Sequence, residues 1–483
     1  MDQSRMPLLE AVERFAGQKP AYFRIPAHRF SRGVNPGFLE AAGEKMFSCD
    51  LTEAEGLDDL HHPAGAILEA EQLAAELYGS RRCWFLVNGT TCGNEAMILS
   101  AVGPGEKIMV PRNAHKSAMM GLILSGAVPV WIMPEYCGEW GVFGGIRPET
   151  VEEGFRREPD CRAVFLVSPT YYGICSDIQA IADICHAHGA MLLVDEAHGG
   201  HLYFSEQYPP GALRQGADLC AQSTHKTAGS LTQSSLLHLQ GNLADPERVD
   251  ENLKLVMSTS PSYLLMASLD AARQQLALRG KEMMEEAARM ARQAGERLAQ
   301  IEGFRVMEQK LSGTCGIRGL DPARLVFSAR DLGLAGYELQ ERMYREAGTS
   351  LEMADHENVI AVVTWGNRPE DLDRLIKGAE SIARAEAGKR QPLLRRNFQF
   401  SDLPEMAIPP REAYFRPKRK VAWRNAAGET AGESAAPYPP GIPLVCPGEV
   451  LEQDVWEELE RCRREGISLH GPASPQLKTF RII

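Results

Sequence analysis

Between residues 80 and 240 short, strongly apolar runs alternate with helical patterns, and this alternation constrains the fold more than any other feature. The runs are "CWFLV" (83–87), "KIMV" (107–110), "VPVWIM" (128–133), "RAVFLV" (162–167), "AMLLVD" (190–195), "LCAQS" (219–223) and "SSLLHL" (234–239). Between several of them lie helix-like segments such as "GNEAMILSAVG", "HKSAMMGLILSGA" and "DIQAIADICHAHG", each with glycine at or near its end, where a left-handed residue closes a helix. A strand without a polar face must be covered on both sides. β-α-β alternation of such strands therefore predicts a doubly wound, mostly parallel sheet. Ligands in this architecture bind outside the carboxyl ends of the strands.

A chain of 483 residues exceeds one compact core and suggests roughly two to four domains. Residues 263–300 are rich in Ala, Leu, Met, Glu and Arg without proline, which predicts one long helix or two. Residues 302–385 follow with "RLVFS", "AGYELQERMYREAG" and "NVIAVVTWG", an α+β pattern of their own. The stretch "NAAGETAGESAA" (425–436) has few large apolar residues and reads as a mobile loop before the stiff "PYPPGIPLVCPGE". The division expected is an N-terminal arm (1–48), a large sheet domain (49–262), a long helix with a smaller α+β domain (263–385), and a C-terminal α+β extension (386–483).

Charge and cysteine usage exclude several functions. The formal net charge is −12 and no lysine or arginine patch could track a phosphate backbone, which argues against nucleic acid as a partner. The 11 cysteines are scattered without a CxxC pair or ligand spacing, the pattern of free thiols in a reducing compartment and not of structural zinc. "MDQSRMPLLEAVERFAG" has no basic segment leading an apolar one, and no run approaches the ~18 apolar residues of a membrane span. A cytoplasmic protein without membrane contact is expected.

Four motifs fall at predicted strand ends. In "VDEAH" (194–198) Asp195 closes a buried strand, where a carboxylate needs a cation or several donors. In "STHKTAGSLTQSS" Lys226 opens a loop of glycines and hydroxyls, through which a ligand can approach the backbone. "VNGTTCGNEA" (87–96) joins a strand to a helix N-terminus, a place that attracts anions, but it has neither a Walker lysine nor a GxGxxG. In "PRNAHKS" (111–117) His115 follows the next strand. Taken singly, each has an ordinary structural reading as a cap, a turn or a solvated side chain. Together, a lysine amine, a strand-end carboxylate, a phosphate cradle and a flat ring match what pyridoxal 5'-phosphate requires.

In order and spacing these motifs resemble the aminotransferase-like, fold type I PLP enzymes. With "RIPAHRFSRG", "SPTYYGI", "VDEAHG" and "YPPGIPLVCPGE" the chain resembles the Orn/Lys/Arg decarboxylases, in the short form without a receiver-like wing domain. The resemblance implies a seven-stranded PLP-binding domain, a smaller α+β domain and a C-terminal family domain. It implies Lys226 as the Schiff-base lysine, Asp195 as the pyridinium partner and His115 as the ring stacked on the cofactor, with Ala197 on the opposite face. Thr90, Thr91, Ser223 and His225 are implied around the phosphate, and Thr170 near the phenolic oxygen. Lys226 or His198 would return a proton to Cα. A basic substrate needs a carboxylate at its far end, for which Glu449, Glu352 and Asp355 are candidates. The activity implied is decarboxylation of arginine, lysine or ornithine to agmatine, cadaverine or putrescine, in a homodimer or larger homo-oligomer with sites at the subunit interface.

Two positions depart from the family pattern: Ala27 replaces the usual glycine in "PAHR", and Cys92 stands where some relatives carry a phosphate-binding hydroxyl. The alternatives are another PLP reaction, such as transamination or side-chain cleavage, and a PLP-binding relative without activity. A metallohydrolase built on His198 and His201 lacks a third ligand at useful spacing.

Overall fold

The computed structural model describes residues 1–393, 403–438 and 441–483. The seven expected apolar runs are the seven strands of one sheet: β1 (Arg82–Leu86), β2 (Lys107–Pro111), β3 (Val128–Ile132), β4 (Ala163–Val167), β5 (Met191–Asp195), β6 (Leu219–Gln222) and β7 (Ser235–Leu239). Their spatial order is β1-β7-β6-β5-β4-β2-β3. All neighbours are parallel except β7, which runs antiparallel to both β1 and β6. Phe85, Ile108, Val164, Phe165, Leu192, Val194, Leu219 and Leu237 are fully buried. Each such side chain contributes about 1.5–3 kcal/mol through removal from water.

Register decides what meets at the carboxyl edge. Val167 lies opposite Asp195, Asp195 opposite Ala221, Gln222 opposite Leu236, and Ser235 opposite Leu86. The loops after β1, β2, β4, β5 and β6 therefore leave from one edge, and β7 begins there. Helix α1 (Gly89–Ala101) follows β1 and closes tightly onto the sheet at Gly93. A Cβ there would stand 2.8 Å from Leu86 Cδ1 and 3.2 Å from Ala221 Cβ, so only glycine allows the approach. Helix α2 (Lys116–Ser125) follows β2 with His115 as its N-cap, whose side chain accepts from Ser117 N.

A single 37-residue helix, α3 (Tyr263–Ala299), leads out of the large domain, capped by the Ser262 side chain. Its Tyr263, Met266, Leu269, Leu276, Met283, Met284 and Ala288 belong to the large core, and Met290, Ala291, Ala294 and Leu298 to a second core. That core lies under an antiparallel four-stranded sheet containing β8 (Arg324–Ser328) and β9 (Val359–Val362), covered by the helices Gly336–Ala347 and Pro369–Glu386. A third core, around Trp423, Leu444, Val445, Leu459 and Phe480, organises the C-terminal region.

One expectation fails here. Residues 425–436, read above as a mobile loop, pack into the third core: Ala426, Ala431 and Ala435 are fully buried. Gly428 N donates to Leu451 O, Ala431 N to Glu449 O, Gly432 N to Arg481 O, and Ala435 N to Val445 O. Small side chains serve close backbone packing here, so a lack of large apolar residues was a poor sign of mobility. Among the described residues no helix is long and apolar enough to cross a membrane.

Candidate active site

Asp195 ends β5 and is buried. Its Oδ1 accepts from Ala197 N at 3.0 Å and its Oδ2 from Asn94 Nδ2 at 2.7 Å, Asn94 reaching it from α1. Among the described residues no cationic side chain is in ion-pair contact with it. The Asn94 amide also donates to Ser117 Oγ at 2.9 Å, and Ser117 Oγ lies 2.9 Å from His115 Nδ1. Burial lowers the His115 pKa and Asp195 opposes the shift. A carboxylate and an imidazole from neighbouring strand ends are thus held by one buried amide and one hydroxyl. Sequence reading missed both Asn94 and Ser117.

Beside them lies a cluster of hydroxyls. Thr90 Oγ1 is 2.5 Å from Ser223 Oγ and 3.0 Å from Ser235 Oγ, all three buried. Thr91 is half-buried in the first turn of α1, where unpaired amide N–H groups favour an anion. His225 Nδ1 is 2.9 Å from Ser234 O, and burial lowers the ring's pKa. Cys92 turns away, its thiol donating to Gly89 O while burial pushes its pKa up to about 12. A helix N-terminus with clustered hydroxyls suits a phosphate, and a buried carboxylate lacking a cation suits a protonated pyridine. The residues present therefore fit PLP.

Lys226 sits in the short helix Thr224–Thr227 directly after β6. The residue is exposed in the single chain, although neighbouring protein still crowds its amine. This desolvation lowers its pKa, Arg324 adding to the effect while Asp195 and Glu352 oppose it. Its Nζ lies 3.1 Å from His198 Nε2 and 6.0 Å from the centre of the Tyr171 ring. His198 is buried, with its Nδ1 3.3 Å from Arg324 Nη2 and its ring 4.5 Å from that of Tyr171. Burial, with Lys226 and Arg324 adding to it, takes the His198 pKa well below the ordinary imidazole value. His201 does not join it: its Nε2 faces Asp321 Oδ2 at 3.1 Å.

Thr170 is buried, with Oγ1 accepting from Ile174 N at 3.3 Å, and Ala197 is buried next to Asp195. In the N-terminal motif the left-handed residues are Arg29, Phe30 and Ser31, with φ of 50°, 54° and 87°. Ala27 is not among them, so the missing glycine costs that turn nothing.

The three candidate substrate acids separate sharply. Glu449 is fully buried, its Oε1 and Oε2 bound by Arg112 at 2.5 and 2.7 Å and Oε2 also by Cys446 N at 2.7 Å. It cannot serve as the acid for a substrate head group, and instead ties the C-terminal region to the end of β2. Asp355 is also spent: it accepts from Tyr172 Oη, Glu357 N and Asn358 N, each at 2.7 Å, and from the Asn358 amide. It organises a buried turn. Glu352 remains exposed, with Oε1 accepting from Tyr171 Oη at 3.0 Å, and its charge is felt at Lys226.

Known proteins identify the family. The Orn/Lys/Arg decarboxylase major domain matches residues 6–371, and the C-terminal domain of the same family matches residues 393–463. The chain is 35% identical to an arginine decarboxylase of Bacillus subtilis over 483 residues, covering 100% of this chain and 99% of the relative. It is 36% identical to one of Halalkalibacterium halodurans over 484 residues, covering 100% and 98%. The fold superposes on the Francisella novicida lysine decarboxylase LdcF with a TM-score of 0.87 at 20% identity, covering 99% of this chain and 81% of the other. Two domain matches in the family's own order, together with relatives aligned from end to end, establish that the chain is an enzyme of the Orn/Lys/Arg decarboxylase family.

Proposed function

We propose that the protein binds PLP on Lys226 and decarboxylates a basic amino acid, with arginine the first substrate to test. The observation that carries this is the convergence of Lys226, Asp195 and the Thr90–Ser223–Ser235 cluster on one sheet edge. When bound, the cofactor supplies an electron sink for the charge left at Cα as CO₂ departs. Asp195 would hold the ring nitrogen protonated, His115 would hold the ring, and the first turn of α1 with the hydroxyl cluster would hold the phosphate. Lys226, depressed in pKa and 3.1 Å from His198, provides the amine that carries the cofactor, and one of this pair returns the proton to Cα. Glu352 receives the distal cation, and a carboxylate matches a planar guanidinium in bidentate fashion. Full-length relatives named arginine decarboxylase favour arginine over lysine and ornithine. The same reading includes a homodimer with its sites at the subunit interface.

Borohydride reduction of the holoenzyme followed by peptide mapping tests the centre of this proposal. The reduced adduct is expected on Lys226, and incubation with arginine, lysine and ornithine is expected to release CO₂ with agmatine as the dominant amine. An adduct on another lysine, or a keto acid as the product, would overturn it.

A further inference from the structure

We propose that Arg324 is a positioning residue that fixes the proton of His198 on Nε2, so that His198 presents an N–H to Lys226 and holds that amine uncharged. A guanidinium has only donors and keeps its proton in a protein. A neutral imidazole has one donor and one acceptor nitrogen. Arg324 Nη2 stands 3.3 Å from Nδ1 of His198, so Nδ1 is the acceptor and the proton lies on Nε2. That Nε2 stands 3.1 Å from Lys226 Nζ, and the lysine must then meet it with a lone pair. The opposite tautomer would set Nδ1–H against a guanidinium N–H in a buried place, leaving two donors face to face.

Arg324 is well held for this role. It is the first residue of β8, paired opposite Val362, and is buried. Gly173, at φ +79°, lets the 170–174 loop close on it: a Cβ there would stand 2.7 Å from Arg324 Cβ. The other charged and titratable groups around the pair are Asp195 and Glu352, which favour a charged lysine, and His115 and His201, which disfavour a charged His198. The purpose of the device rests on the PLP reading, because only an uncharged amine attacks an aldehyde. Its test does not.

The full-length protein, with its 12 histidines labelled with ¹⁵N in the ring, reports the tautomer directly, the His198→Gln spectrum identifying the signals of His198. At neutral pH the wild type is expected to show Nε2 protonated and Nδ1 bare. Arg324→Met is expected to shift His198 towards the Nδ1–H form, and Arg324→Lys to restore the wild-type pattern. In parallel, labelling of Lys226 in protein freed of cofactor, by an amine-selective acylating reagent followed by mass spectrometry across pH, should slow in Arg324→Met by about tenfold for each unit its pKa rises. An Nδ1–H tautomer in the wild type overturns the proposal even if the variant fails to fold. So does an unchanged tautomer in Arg324→Met alongside slowed labelling, which would mean that Arg324 acts by charge alone. A borohydride adduct on a different lysine would sink the PLP reading and leave the tautomer result standing.

Discussion

Glu449 is locked to Arg112 in the interior, whereas Glu352 stands exposed and accepts a hydrogen bond from the Tyr171 hydroxyl. The Arg112–Glu449 pair has no exposure on either side chain, so removing one partner strands a buried charge, a change that costs about 3–5 kcal/mol. Glu449→Gln is expected to lower the urea unfolding midpoint accordingly while leaving the KM of the folded enzyme near the wild-type value. Glu352→Gln should do the reverse: unchanged stability, similar kcat, and a KM for the basic substrate raised about tenfold or more, the worth of a hydrogen bond to a charged group. Steady-state kinetics and denaturation on the two variants separate the assignments. The reason the sequence did not separate them is distance along the chain. Arg112 precedes Glu449 by 337 positions, and Arg324 follows His198 by 126, so neither partnership leaves a local trace. Lys226, Asp195 and His115 were legible because Asp195 ends an apolar strand and the other two lie in the short segments that follow one. Asn94 and Tyr171 sit inside motifs that were quoted, but their partners became visible only once the loops met.

At the scale of elements, the strands were legible because a continuous apolar run between turn residues has few other readings, and all seven fell in one sheet. Strand β7 also carries a pH dependence. His238 within it is fully buried, with Nε2 3.2 Å from Gln222 Oε1 and Nδ1 3.0 Å from Ser80 Oγ, and burial takes its pKa down to about 3. Between about pH 6.5, the unfolded value, and about pH 3 the unfolded chain binds a proton that the native protein excludes. Stability from this residue is therefore full above that window and falls by about 1.4 kcal/mol per pH unit on acidification. Glu71, which burial pushes up to about 8, has the opposite slope from its ordinary carboxylate value to about pH 8, so the wild type alone would show a blend. The difference between wild type and His238→Gln isolates the histidine: the variant's stability, measured by urea denaturation at several pH values, should decline less steeply below pH 6.5. The segment 425–436 shows where composition misleads at this scale, since alanines that fill a tight backbone crossing look the same in a sequence as alanines in a linker.

For the molecule as a whole, several large apolar side chains stand in water in the single chain, among them Phe23 at 91% exposure, Leu255 at 71% and Phe415 at 70%. A homodimer would cover such surface, and size-exclusion chromatography with light scattering is expected to give a mass near twice 53.2 kDa or a multiple of it. A monomer at micromolar concentration would remove the shared-site part of the proposed function. The helix α3 sets a different kind of limit. Its first part fills the large core and its last turns fill the second, within one uninterrupted 37-residue rod about 55 Å long. The changeover from one interior to the other falls between Ala288 and Met290, so one helical hydrogen-bond ladder runs through both, and a cut there would leave each region with an unpaired helix end. Shuffling such modules would therefore mean rebuilding that junction, and so would grafting this active site onto another scaffold.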